Sequence, residues 1–155
     1  MKPIFILYGL MAILLILSIY QINSKYPFDN PASSNSSNQV CFSNSCFDVE
    51  LAITEQQKLN GLMNRESLNQ TSGMLFIFTK LDNYSFWMKD TLIPLDLLWL
   101  NSNKQVVFIK ENALPCNSQK CEIFSPNEKA KYVLEIPAFS ASSNNITLGT
   151  QAEFK

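Results

Sequence analysis

The chain contains no histidine. That removes the usual general base near neutral pH and the commonest transition-metal ligand. Histidine-dependent triads, HExxH sites and histidine–carboxylate metal sites are therefore excluded. Glycine is scarce too, with four among 155 residues, and neither GxGxxG nor a GxxxxGK loop occurs. Phosphate-cradling loops thus have no support. Charge is sparse and balanced, 12 Lys and Arg against 13 Asp and Glu for a net −1. No basic stripe exists to displace counterions from phosphate, so no nucleic-acid partner is expected. No metal or other cofactor is expected either.

What the chain does have begins with a long apolar run. From Pro3 to Ser24 there is no charged residue, and Ile4–Ile22 is almost wholly aliphatic or aromatic. As a helix that run would span about 28 Å, close to the hydrocarbon thickness of a bilayer. It lacks the polar face of a soluble helix. A cleaved signal usually ends in small residues, whereas this run ends in Ile19, Tyr20, Gln21 and Ile22. Residues 1–24 are therefore expected to be an N-terminal membrane anchor or uncleaved signal, with cleavage before Lys25 as the alternative. Lys2 favours a cytoplasmic N-terminus and Lys25 opposes it. Residues 25–38, rich in Asn and Ser and interrupted by Pro27 and Pro31, read as a tether. Residues 39–155 form the domain. The expected location is the bacterial inner (cytoplasmic) membrane, single-pass through the N-terminal helix, with the soluble domain in the periplasm or at the cell exterior.

The cysteines agree with that compartment. They fall in two pairs of equal spacing, Cys41-FSNS-Cys46 and Cys116-NSQK-Cys121. Four turn-forming residues between partners allow each pair to close locally, so Cys41–Cys46 and Cys116–Cys121 are the first choice among three connectivities. Such pairs oxidise and persist outside the cytoplasm. Neither pair is Cys-x-x-Cys, and a four-cysteine zinc site would compete with oxidation.

Along the domain, Phe47, Val49, Leu51 and Ile53 alternate with Asp48, Glu50 and Ala52, the period of a half-buried strand. Thr54 to Gln57 is a capping box, followed by Leu59, Leu62 and Met63 at helical spacing. A short helix is expected up to about Met63, weakened near its end by Gly61. Further strands are expected at 74–78, 84–88, 95–100, 105–109, 130–136 and 151–154, with an irregular or weakly helical turn at 140–145. The fold class is mainly β, a small partly closed β-barrel with one or two short helices, preceded by an N-terminal transmembrane helix.

The segment from Phe47 to Phe154 resembles the DUF192 (UPF0127) family, small domains with no settled function. Five blocks in order carry the likeness: Gly61-Leu62-Met63-x-Arg65, Gly73-Met74-Leu75-Phe76, Phe86-Trp87-Met88-Lys89-Asp90-Thr91, Ile93-Pro94-Leu95-Asp96 and Tyr132-Val133-Leu134-Glu135-Ile136. The resemblance implies a β-barrel-like fold, commonly behind a signal or anchor, and no reaction. The chain departs from the pattern at three places. Asp90 stands where the family prefers Asn, Asn103-Lys104 lacks the usual Gly, and Phe139 replaces a Gly after Pro-Ala.

Several residues could carry function. Asp96 lies between Leu95 and Leu97 in an apolar strand, where an unpaired ionised carboxylate costs several kcal/mol. Arg65 and Lys89 are its candidate partners, either as a structural pair or around a cleft. Trp87 and Lys89 should share one face of their strand, with Thr91 nearby. A flat ring beside a cation and a hydroxyl suits a polar ligand, while core packing and a solvated rim explain the same residues. The candidate ligand-binding set is therefore Arg65, Trp87, Lys89, Thr91 and Asp96. Alternation turns Glu135 away from Leu134 and Ile136, toward solvent. Paired with Asp96 it would make an acid–base couple as in glycoside hydrolysis. Met63, Met74 and Met88 read as core filler before they read as a Cu(I) site. No complete catalytic set emerges. The expected role is a membrane-tethered binding or accessory module for a small polar ligand or an envelope partner protein, with a carboxylate-pair hydrolase or a structural envelope component as rivals.

Overall fold

The structure is a computed structural model that describes residues 38–155 apart from Asn44. The expected anchor (1–24) and residues 25–37 of the tether lie outside the described residues. Among the described residues, no helix is long and apolar enough to cross a membrane.

Among the described residues, nine strands and two short helices follow in the order β1 (Gln39–Phe42), β2 (Ser45–Ala52), α1 (Glu55–Asn60), β3 (Ser72–Asp82), β4 (Phe86–Trp87), β5 (Leu95–Leu100), β6 (Val106–Ala113), β7 (Ile123–Phe124), β8 (Ala130–Pro137), α2 (Ser140–Ser143) and β9 (Ala152–Phe154). Seven of the strands form one sheet in the order β6-β5-β8-β3-β2-β1-β9, and β4 pairs with β7 in a separate ribbon. The large sheet curls into a half-barrel whose two ends meet at one bridge, Gln105 to Gln151, supported by Val106 N–H donating to Thr150 O at 3.0 Å. The β2–α1–β3 crossover makes the parallel pair in an otherwise antiparallel sheet.

Local chemistry explains the element ends. Thr54 and Gln57 form both halves of the expected capping box. The helix stops at Asn60, three residues sooner than expected, because Gly61 enters the left-handed region at φ 47°. The Cys41–Cys46 disulfide joins directly paired residues of the β1–β2 hairpin, and Cys116–Cys121 closes the loop before β7. The expected local pairing is the observed one, and no cysteine remains free for zinc. The two disulfides suggest an oxidising compartment outside the cytoplasm.

Both faces of the sheet are covered, and each has its own core. Leu98 and Leu100 of β5, with Leu134 and Ile136 of β8, pack on one face with Val40, Phe42, Phe47 and Ala141. Leu95, Leu97 and Trp99, with Val133, pack on the other with Leu62, Phe76, Met88 and Phe124. Strand β8 is central, lying between β5 and β3. This placement decides the fate of its carboxylate.

Candidate binding site

The expected five-residue cluster does not assemble. Arg65 pairs with Glu50 of β2 through both guanidinium amines, Nη2 reaching Oε2 at 2.6 Å. That hydrogen-bonded pairing holds the Glu50 carboxyl below its usual pKa and raises that of Arg65. Lys89 Nζ meets its neighbour Asp90 at 2.7 Å. Neither cation approaches Asp96, correcting the expectation of an Asp–Arg or Asp–Lys pair.

Asp96 is fully buried and instead accepts three main-chain hydrogen bonds. Asn112 N and Phe139 N donate to Oδ1 at 2.8 and 3.1 Å, and Ala141 N donates to Oδ2 at 2.9 Å. Asn112 sits at φ 46° where the β5–β6 register slips, and Phe139, at φ 66°, precedes α2. The carboxylate therefore satisfies the bulge of β6 and the free amides at the start of α2 at once. Its role is to join three elements. It lines no cleft.

The carboxylate that does reach a cleft is Glu135. It was expected to face solvent, yet it is only 5% exposed. The reason is topological. Alternation correctly separates Glu135 from Leu134 and Ile136, but the opposite face of a central strand is covered as well. Asp96 is opposed to Ile136 across the β5–β8 ladder and Glu135 to Leu97, so the two acids point to opposite faces of the sheet. The expected acid–base couple is thereby ruled out.

Glu135 borders a cavity of about 30 Å³ walled by Gly61, Leu62 and Met63 after α1, Phe76 of β3, Phe86 and Trp87 of β4, and Thr91. Its Oε2 is buried and has no hydrogen-bond partner among the described residues. Desolvation raises its pKa from 4.5 to about 8, so the neutral acid predominates near pH 7. Gly73 permits this arrangement, since a Cβ there would lie 2.5 Å from Glu135 O. A Cβ at Gly61 would make only ordinary contact with the Phe76 ring at 3.4 Å and Glu135 Oε2 at 3.8 Å, and it is the φ of 47° that favours glycine at that position.

The cavity adjoins an open groove of about 280 Å³ lined by Lys58, Leu59, Phe78, Tyr84, Phe86 and Trp87. Trp87 is half exposed, as alternation predicts against the partly buried Phe86 and buried Met88, and Leu59 is 68% exposed. Leu59, the first of the apolar residues at helical spacing, thus borders the groove. Phe86 is held edge-on to Phe76 and Trp99, with centroids 4.9 and 5.6 Å apart, and Trp99 Nε1 donates to Tyr84 O at 2.8 Å. Lys58 Nζ is held by Glu55 at 3.1 Å and lies 4.9 Å from the Phe78 ring centre. Of the expected set, Trp87 and Thr91 border the cavity, whereas Arg65, Lys89 and Asp96 line neither it nor the groove. Met74 and Met88 are core residues and Met63 is a cavity wall.

Met88 and Asp90 are fixed by the second disulfide loop. Cys116 N donates to Met88 O at 3.2 Å, and Asp90 N donates to Cys116 O at 2.8 Å. Asp90, Lys104 and Phe139, the three departures from the family pattern, all have positive φ, 54°, 61° and 66°. The turns keep their left-handed geometry without the residues that adopt it most cheaply.

The comparisons match this domain and not its chemistry. A curated UPF0127 protein of Thermococcus gammatolerans is 32% identical over 89 residues, 57% of this chain and 54% of that protein, so the match spans about half of the relative's length. A solved structure from Sinorhizobium meliloti 1021, described as a "putative transcription regulator", has a TM-score of 0.70 at 33% identity, covering 76% of this chain and 92% of that one. A protein of unknown function from Novosphingobium aromaticivorans DSM 12444 gives 0.68 at 30% identity, over 75% and 82% of the two chains. Residues 38–154 match the DUF192 family model, described as "Uncharacterized ACR", and with nearly the whole described domain accounted for, the chain belongs to the DUF192 (UPF0127) family.

Proposed function

We infer that the domain is a binding module whose ligand lies in the Trp87–Leu59 groove with one small polar group inserted toward Glu135. The observation that carries this reading is a buried carboxyl with an unmatched oxygen at the inner end of an open aromatic groove. A burial of that kind costs stability unless something offsets it, and binding sites are where such costs recur. Apolar walls with few convergent polar groups are also the usual make-up of a ligand cleft. The segments bearing the family likeness at Gly61–Met63, Phe86–Thr91 and Glu135 all contribute to the cavity wall. The apolar run Ile4–Ile22 supports display from a membrane, and the disulfides support an extracytoplasmic setting. The carboxylate-pair hydrolase loses its support, because its two acids point away from each other.

Native mass spectrometry on the full-length chain purified from native extracts tests the reading. Trp87→Ala removes an exposed wall without touching the core. A bound small-molecule mass on the unaltered protein should disappear from that variant. Identical bound material on both, or none on either, sinks the proposal.

A further inference from the structure

We propose that Glu135 acts as a hydrogen-bond donor to an uncharged carbonyl oxygen of the ligand, so that the groove selects neutral amide-bearing molecules. The inference rests on the groove reading above and adds the chemical class of the group that enters it.

The argument starts from size. A cavity of about 30 Å³ holds a group of one or two heavy atoms, the tip of a ligand and not its body. Leu62, Met63, Phe76, Phe86 and Trp87 supply apolar wall, and Asn60 and Thr91 add uncharged polar surface beside Glu135. Among the lining residues only Lys58 is ionisable besides Glu135. That ammonium is already engaged by Glu55 and the Phe78 ring. No opposite charge is therefore supplied to Glu135, and the acid form is the one its surroundings stabilise.

Three kinds of head group can then be compared. An ammonium must shed its water, pass the paired Lys58 and Glu55, and force Glu135 to ionise where it is desolvated. A carboxylate must bury its own charge beside a second acid. A carbonyl oxygen requires neither, and it accepts the proton that the neutral acid offers. The adjoining groove, with Trp87, Phe86 and Leu59, suits the apolar body of such a molecule.

The probes are benzamide, benzylamine and benzoate, which share a ring and differ in the head group. Dissociation constants for the full-length chain are read from the Trp87 indole resonance, assigned with Trp87→Phe. Benzamide should bind tightest, weakening about tenfold per pH unit above the Glu135 pKa of about 8. Glu135→Gln, which keeps a neutral donor, should retain benzamide binding and lose that pH dependence, and Glu135→Leu should lose the binding. Tighter binding of benzylamine or benzoate would overturn the inference, as would benzamide affinity that is flat across pH 8. Either result leaves the groove itself standing. If none of the three probes moves the Trp87 signal, the groove reading falls and this inference with it.

Discussion

Replacing Glu135 by Gln should change how the stability of the domain depends on pH, with a predictable sign. Below pH 4.5 the carboxyl is protonated in both folded and unfolded chains, so ionisation costs folding nothing. As pH rises, the unfolded chain releases the proton first and the folded one holds it up to about pH 8. Stability therefore drains away across that interval and levels off above it. At about 1.36 kcal/mol per pH unit, the whole interval from 4.5 to about 8 amounts to roughly 5 kcal/mol, with about 3 of it lost by pH 7. Glutamine has nearly the same shape and no proton to lose. The assay is urea unfolding at a series of pH values, disulfides oxidised, for the wild-type chain and Glu135→Gln. The difference between the two should grow with pH in the variant's favour and then plateau. Parallel stability curves from pH 4.5 to 8 would refute the argument, because they would mean that Glu135 titrates alike in both states.

Two further outcomes follow from other sites. Asp96→Ala orphans the amides of Asn112, Phe139 and Ala141, and at about 1–3 kcal/mol for each unmatched group the loss should be at least about 3 kcal/mol. A urea midpoint within error of wild type would show that those amides find water instead. Phe139→Gly relieves a left-handed residue that is 57% exposed, and after the added freedom of the unfolded chain it should raise stability by about 0.5–1 kcal/mol. A drop in melting temperature would mean that the ring packs more tightly than its exposure implies.

Much of the architecture was legible because the signals were local. The apolar run of β5, interrupted by Asp96 alone, marked Leu95 to Leu100 as a strand, the capping box located the start of α1, and the cysteine spacings foretold their pairing. What escaped was set by distant partners. Strand β1 is held by β2 and β9 on its two sides, and β7 by β4, so neither needs its own periodicity. Glu135 was misplaced for the same reason. Period two reveals that a side chain faces away from its neighbours, while only topology reveals what lies on that other side. Asp96 was correctly suspected of needing partners. Scanning side chains for cations could not find them, since the donors are backbone amides brought together by a bulge and a helix start. Trp87 and Thr91 were found by composition, whereas Leu59 drew no functional reading, because spacing on a six-residue surface helix does not tell which apolar residue stays exposed.

The way Gln39 and Lys155 exchange both amide hydrogen bonds, at 3.0 and 2.9 Å, has a mechanical consequence. Tension entering through the chain ahead of Gln39 would peel β1 from its two neighbours, β9 and β2, one bond at a time, the weak direction for paired strands. Peeling can run only two residues, because at Cys41 the disulfide hands the load to Cys46 and so to β2, which is anchored along β3. The first covalent staple thus works as a strain relief, limiting how far the entrance can give way and passing the remaining load to the paired strands behind it.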